Sequence, residues 1–368
     1  MIPVNEPLIG NRESEYVMEC LRTGWISSEG RFIREFEEQW ASYCGMPYGV
    51  AVSNGTVALE IAMACLDLKP GDEVILPSFT IISCAQAVTM NGLKPVLVDS
   101  DPRTWCMDVA KVEAKITAHT RAIMPVHIYG HPVDMDPLLE LAAKHGLVIV
   151  EDAAEVHGAE YKGRKCGGLG DLSCFSFYAN KIITTGEGGM ILARDAIQAE
   201  RLRSLRNLCF RKERRFYHTE MGHNYRLTNL QAAIGLAQLE RIEESVQRKR
   251  RMATAYNERL TDIKFLQIPT EEPWAKNVYW MYGVVLDESS GMDAVEFAQR
   301  LSEKGVMTRP FFLGMHEQPV FRNMGLFLDE HYPVTERIAR QGLYLPSGMA
   351  LTETQIEVVC QAVHEVLA

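Results

Sequence analysis

The 368-residue sequence lacks several features that would place it in other classes of protein. No two of its nine cysteines form a C-x-x-C pair, so we expect free thiols in a reducing compartment rather than a disulfide framework or a zinc site. No apolar run approaches membrane-spanning length, and the N-terminus has no basic-then-apolar signal. These absences predict a soluble, cytoplasmic protein with no membrane partner and no metal site.

Positive charge is also scarce. Lysine and arginine total 38 against 48 acidic residues, which gives a formal net charge of −10. Proteins that bind nucleic acid usually carry a basic face, so no nucleic-acid partner is expected. The glycines at Gly186, Gly188 and Gly189 do not form a G-x-x-x-x-G-K-[ST] loop, which disfavours a nucleoside triphosphate site.

Apolar residues, by contrast, make up 47% of the chain, enough for a large core and two domains. Between about residues 50 and 195, short continuous apolar runs alternate with helical patterns. Continuous runs indicate strands buried on both faces, and the alternation predicts a mostly parallel, doubly wound sheet. After about residue 230 the pattern is typical of an α+β unit. We therefore predict a large domain over residues 1–240 and a small C-terminal domain over 241–368.

One lysine, Lys181, follows an apolar run that begins at residue 173 and directly precedes a glycine-rich turn. Partial removal from water lowers the pKa of such an amine and makes it a nucleophile. Imine formation with a carbonyl requires a neutral amine, and pyridoxal phosphate is the commonest cofactor that uses one. Lys181 is therefore the candidate catalytic residue.

A carboxylate, Asp152, ends a second apolar run that starts at Leu147. A carboxylate paired with the ring nitrogen of pyridoxal phosphate keeps that nitrogen protonated. Taken alone, the residue would more often cap the following helix. Ligands of doubly wound sheets lie beyond the carboxyl ends of the strands, and Asp152 and Lys181 both follow strand ends, so the cofactor interpretation is favoured.

A phosphate site is predicted where Gly55 and Thr56 precede a strongly helical run. The N–H groups at a helix N-terminus and a nearby hydroxyl bind phosphate well, although an ordinary N-cap has the same pattern. Ser176, five residues before Lys181, could reach the same group, or could be a core hydroxyl.

Together these residues resemble the DegT/DnrJ/EryC1/StrS family of pyridoxal-phosphate-dependent sugar-nucleotide aminotransferases. The matching segments extend over most of the chain, at residues 23–28, 53–59, 71–77, 126–131, 151–155, 175–189, 222–229 and 231–240. The resemblance implies an α/β fold of the fold-type I aminotransferase class, with a large domain around a mostly parallel sheet and a smaller C-terminal α+β domain.

The resemblance also implies roles for three residues around the cofactor ring. Lys181 would bond to pyridoxal phosphate and then transfer protons, Asp152 would pair with the ring nitrogen, and Glu155 would lie beside the ring. One position departs from the family, because Ile81 stands where an aromatic residue usually stacks on the ring. Stacking at this position is therefore not expected.

Binding of the cofactor phosphate is implied for Gly55, Thr56 and Ser176. In the family an asparagine, here Asn224, reaches the phosphate of the neighbouring subunit. The resemblance therefore predicts a homodimer with shared active sites.

The implied reaction transfers the amino group of L-glutamate to C4 of a nucleotide-linked 4-keto-6-deoxyhexose. The branch that this sequence resembles most acts on GDP-4-keto-6-deoxymannose, which suggests a place in O-antigen (lipopolysaccharide) biosynthesis. Substrate binding is predicted for Arg309, His316 and Trp25. A basic segment offers further cations for the diphosphate, or a solvated surface: Arg206, Arg211, Arg214 and Arg215.

Three alternatives remain at this point. The enzyme could act at C3 or C4 of a UDP- or dTDP-linked ketosugar. It could be a sugar dehydratase of the same group, but those enzymes carry histidine in place of the lysine, and Lys181 argues against this. It could also be a regulatory homologue without turnover, although no member of the catalytic set is missing.

Overall fold

A computed structural model describes residues 1–211 and 213–367. Helices and strands alternate through the first two thirds of the chain. In chain order they are α1 (Asn11–Thr23), α2 (Arg31–Tyr43), β1 (Tyr48–Val52), α3 (Gly55–Cys65), β2 (Glu73–Pro77), α4 (Ile82–Met90), β3 (Lys94–Val98), β4 (Thr120–Ile123), α5 (Met135–His145), β5 (Val148–Asp152), β6 (Glu160–Tyr161), β7 (Arg164–Lys165), β8 (Leu172–Ser176), β9 (Gly189–Ala193), α6 (Ala196–Leu205) and α7 (Asn229–Leu239).

The remaining elements begin with one long helix, α8. They are α8 (Ile242–Leu260), β10 (Leu266–Gln267), β11 (Ala275–Lys276), β12 (Tyr282–Leu286), α9 (Ala294–Glu303), β13 (Arg309–Pro310), α10 (Pro319–Asn323), α11 (Pro333–Gln341), β14 (Gly342–Leu345) and α12 (Glu353–Leu367). Short 3₁₀ turns occur at Val109–Lys111, Glu113–Lys115, Ile128–Gly130, Glu288–Ser290 and Met315–Glu317.

The main sheet has seven strands in the order β1-β9-β8-β5-β4-β2-β3. Strand β9 is antiparallel to both of its neighbours, and the pairings from β8 to β3 are all parallel. Every residue of β2 and of β9 is buried, because helices cover both faces of the sheet. The predicted mostly parallel, doubly wound sheet is confirmed.

A second sheet, in the order β10-β12-β14-β13, is antiparallel throughout. Its core includes Tyr256 of α8, Tyr282 of β12 and Phe297 of α9, all fully buried. A third, three-stranded sheet pairs β11 with β6 and therefore joins the C-terminal part of the chain to the first part. The domain boundary after residue 240 stays a prediction.

The sequence pattern from Leu230 through Ile242, which favours one long helix extending towards Leu260, forms two helices, with a break at Glu240 and Arg241. Arg241 leaves helical geometry (φ −121°, ψ 22°). Its guanidinium donates to the main-chain oxygen of Leu8 at 2.6 Å and pairs with the buried Glu13. A contact with the N-terminal segment thus interrupts an apolar pattern that is continuous in the sequence.

All nine cysteines are buried free thiols, as expected from their spacing. Within the residues that the structure describes, no helix combines the length and apolarity needed to cross a membrane.

Candidate active site

The loop between β8 and β9 holds Lys181. Main-chain hydrogen bonds close its base, from Phe177 N to Gly188 O (2.8 Å) and from Thr185 N to Phe177 O (2.9 Å). The Lys181 side chain is only 9% exposed, and its Nζ lies 3.8 Å from Glu155 Oε1. Burial lowers the pKa of Lys181, while the carboxylate of Glu155 opposes that shift. The amine is therefore easier to deprotonate than an exposed lysine.

Glu155 follows β5 by three residues and is the ionic partner of this amine. Its Oε2 accepts a hydrogen bond from the Tyr129 main-chain N–H at 2.7 Å. Burial raises the pKa of Glu155 to about 7, although Lys181 draws it down. The pKa of Glu155 is raised and that of Lys181 is lowered, so the two values move towards each other, which favours passage of a proton between the two groups.

Asp152 is the last residue of β5 and is 3% exposed. Its Oδ1 accepts from Ala154 N at 3.1 Å, and its Oδ2 accepts from the thiol of Cys84 at 3.0 Å. Across residues 1–211 and 213–367, no lysine, arginine or histidine forms an ion pair with Asp152. The charge of Lys181 acts on Asp152 only from beyond ion-pair distance. A buried carboxylate with no cation in direct contact is costly, so this position suits a cationic ring nitrogen.

Two helix N-termini meet beside Asp152. Helix α3 starts at Gly55 and α4 at Ile82, and the hydroxyls of Thr56 and Ser83 lie 2.8 Å apart. A Cβ atom on Gly55 would lie 2.7 Å from Cβ of Ser176, closer than side chains approach. The glycine therefore lets a helix N-terminus and three hydroxyls converge, which is a favourable setting for a phosphate.

Trp280 completes the lysine site. Nζ of Lys181 lies 3.6 Å from the centroid of the Trp280 ring, and the indole N–H donates to Asn180 O at 2.8 Å. Trp280, Ser83 and Cys84 are residues of the site that the sequence did not predict. Ser83 and Cys84 follow the segment Pro77-Ser-Phe-Thr80, and that adjacency was the available signal.

Ile81, at the family's usual aromatic position, precedes α4 and is 40% exposed. The structure thus has an aliphatic side chain there that a ligand can still contact. Arg309 lies on β13 at the edge of the second sheet and is exposed. It pairs with Tyr344 across the sheet. Burial and the charge of Glu155 raise the pKa of Tyr344 to about 12, and the charge of Arg309 lowers it. Tyr344 is therefore affected by the charges of both Glu155 and Arg309.

His316 is differently placed. It is 2% exposed, and both ring nitrogens have partners, Ser78 Oγ at 2.8 Å and Glu336 Oε1 at 3.2 Å. Its imidazole therefore supports the Pro-Ser-Phe-Thr segment, and this geometry leaves neither nitrogen free for a substrate.

Trp25 and Asn224 lie on the surface. Trp25 is 57% exposed, and its main-chain oxygen accepts from Asn229 Nδ2 at 2.7 Å. Asn224 is exposed, and its amide oxygen accepts from Arg226 at 2.7 and 3.0 Å. The contacts described for these two residues do not connect them to Lys181.

The arginines of the connecting segment have different environments. Arg206 bonds Glu37 at 2.5 Å and Ala51 O at 2.6 Å, so it stabilises the fold. Arg211 and Arg215 line an open cavity of about 700 Å³. The carboxylates of Glu29, Glu200 and Glu213 line the same cavity.

Comparison with known proteins identifies the family to which the chain belongs. The sequence matches the DegT/DnrJ/EryC1/StrS aminotransferase family over residues 7–364. The chain belongs to this family.

Two relatives, both named GDP-perosamine synthase, are similar over nearly their whole length. The protein of Caulobacter vibrioides is 45% identical, with 100% of this chain and 98% of the relative covered. That of Escherichia coli O157:H7 is 39% identical, with 99% and 98% covered. Among solved structures, the PLP form of the sugar aminotransferase Spr1654 from Streptococcus pneumoniae has a TM-score of 0.92 at 25% identity, with 100% and 99% covered. The chain is a pyridoxal-phosphate-dependent sugar aminotransferase.

The site of the aminotransferase fits pyridoxal phosphate by its own chemistry. A buried amine is available for the aldehyde, an unpaired buried carboxylate for the ring nitrogen, and a helix N-terminus with hydroxyls for the phosphate. When bound, the cofactor withdraws electrons from the carbon that carries the transferred amino group.

Proposed function

We propose that the enzyme transfers the amino group of L-glutamate to C4 of GDP-4-keto-6-deoxymannose, giving GDP-perosamine for a surface polysaccharide such as O-antigen. The support is the identity of 45% and 39% to two enzymes of that name over almost all of the chain. The observation that carries the amino-transfer chemistry is the buried Lys181–Glu155 pair beside an unpaired Asp152.

Lys181 holds and moves the proton in this proposal. Its amine must be neutral to accept a proton and cationic to return it, and the same group serves both directions of transfer. Glu155, at 3.8 Å, stabilises the ammonium form, while burial favours the neutral one.

Asp152 would hold the ring nitrogen in its protonated form. The Cys84 thiol and the Ala154 N–H fix the two carboxylate oxygens of Asp152, so the carboxylate is oriented before any ligand arrives. Thr56, Ser83 and the α3 N-terminus would bind the phosphate.

We further propose a homodimer with shared active sites. Asn224 and Trp25 are exposed in the single chain, which supports contacts of these residues with a neighbouring subunit's site. Arg309 is exposed beside Tyr344 and is the candidate of the C-terminal part for binding the sugar nucleotide; Arg211 and Arg215 are candidates for its diphosphate.

The test is mass spectrometry of products from L-glutamate with GDP-4-keto-6-deoxymannose, and in parallel with dTDP- and UDP-linked 4-keto-6-deoxyhexoses. We expect the GDP substrate to gain an amino group in place of its keto oxygen, with release of 2-oxoglutarate. The Lys181→Ala variant is the control and should lose all turnover and the absorbance of the imine that links the cofactor to the protein. Preference for a dTDP or UDP substrate would overturn the substrate assignment, and an active Lys181→Ala variant would overturn the mechanism.

A further inference from the structure

Trp280 lies between two buried lysines that approach it from different sides. Lys181 places its Nζ over the indole ring, 3.6 Å from the centroid. Lys249 of α8 donates from its Nζ to the Trp280 main-chain oxygen at 2.8 Å and also bonds the main-chain oxygen of Ser347. Lys249 is 2% exposed, and no carboxylate forms an ion pair with it in residues 1–211 and 213–367.

We infer that Trp280 is a positioning residue for Lys181. The indole face of Trp280 holds the free amine of Lys181 in its ammonium form, and Lys249 fixes Trp280 in place. We rest this on the proposed function of Lys181. A cation over an indole face is attracted by the ring quadrupole, and the attraction increases when water is excluded.

Trp280 is held through both its side chain and its main chain, so the ring has little freedom to move. Its indole N–H donates to Asn180 O at 2.8 Å, next to Lys181 in the chain. Lys249 bonds its carbonyl oxygen. Its own main-chain nitrogen lies close to Gly130, where an added Cβ would approach to 2.7 Å. Three separate segments of the chain therefore set the height of the ring under Nζ.

The charge on Lys181 is set by groups on several elements. Glu155 and Asp152 favour its ammonium form, as does the partial charge on the Cys84 thiol. Burial, together with the charge of Lys181, lowers the pKa of His157 to about 3. Trp280 is an uncharged contact that also favours the ammonium form. Replacing only the Trp280 ring should therefore shift the proton affinity of Lys181 and leave the number of charged groups around it unchanged.

The reaction that reports this is capture of pyridoxal phosphate by the apoenzyme. The neutral amine bonds the aldehyde carbon, and the aldehyde oxygen leaves as water with the two amine protons. Only the neutral amine reacts, so the rate rises with pH through the pKa of Lys181. Stopped-flow absorbance after mixing apoenzyme with pyridoxal phosphate between pH 6 and 10 gives this midpoint without any turnover.

We expect Trp280→Leu to lower the midpoint by about half a unit to one unit, because the ammonium form loses its π contact. Trp280→Phe retains a weaker π face and should give a smaller shift in the same direction, which keeps the test valid if the leucine variant does not fold. Circular dichroism verifies the fold of each variant. An unchanged or raised midpoint in Trp280→Leu, with wild-type capture intact, overturns the role of Trp280. Capture by Lys181→Ala with the wild-type absorbance would instead overturn the proposed function.

Discussion

Lys249→Met removes a buried amine that contacts the main chain of Trp280 beside the active site. The ammonium of Lys249 is bound by two main-chain oxygens, from Trp280 and Ser347, and burial lowers its pKa from 10.5 to about 7. Between these two pH values the unfolded chain binds a proton at this residue that the folded chain does not. Wild-type stability therefore rises with pH in that window. Below about pH 7 both states are protonated, and the cost of the buried charge is constant.

The magnitude follows from the same two values. Between pH 6 and pH 9 the folded residue loses its proton over about two pH units while the unfolded residue keeps it. At 1.36 kcal/mol per unit, the free energy of unfolding of the wild type should rise by roughly 2–3 kcal/mol relative to that of Lys249→Met. The variant also loses two hydrogen bonds to carbonyls, but that loss displaces its stability by a similar amount at every pH.

Urea unfolding followed by circular dichroism at pH 6, 7.5 and 9 measures the difference between the two proteins. Lys69→Met is the matched control, because Lys69 is exposed and the same substitution there should leave the difference from wild type independent of pH. A difference between wild type and Lys249→Met that stays constant across the range would refute the reasoning. A wild-type free energy of unfolding that falls relative to that of Lys249→Met as the pH rises would refute it more strongly, since the sign would be reversed.

Two further substitutions test the cofactor site. Gly55→Ala places a Cβ 2.7 Å from Ser176, so it should weaken binding of pyridoxal phosphate at least tenfold in a fluorescence titration; an unchanged affinity would show that the two segments separate freely. Cys84→Ala removes the thiol donor to Asp152 and should lower the free energy of unfolding by about 1–2 kcal/mol in urea, whereas Cys84→Ser, which keeps a donor, should stay near the wild type. Equal losses in both Cys84 variants would assign the effect to packing.

The sequence predicted the parts of the structure that depend on local pattern. Continuous apolar runs gave the strands of the main sheet, because a strand covered on both faces has no polar side to alternate with. Asp152 and Lys181 could be associated in advance because both follow strands, and strand ends of such sheets share one edge. The glycine at position 55 was recognisable from the helix that follows it.

Other parts depend on contacts between distant segments and have no local signature. Trp280 is 99 positions from Lys181, in a strand-like run whose spacing is typical of core. His316 was predicted to bind substrate because it is a histidine near Arg309, yet Ser78 and Glu336 occupy both of its nitrogens. The break between α7 and α8 depends on Arg241 and the N-terminal segment, more than 200 residues away.

The burial of all nine cysteines, none of them more than 8% exposed, has a practical consequence. A folded molecule offers alkylating reagents little accessible sulfur, so labelling measures mainly the fraction of time that a segment is open. The cysteines are distributed from position 20 to position 360, and mass spectrometry of the labelled peptides would therefore rank the local opening of the whole chain in one experiment. A fluorophore could also be attached through a single new surface cysteine without first removing any native one.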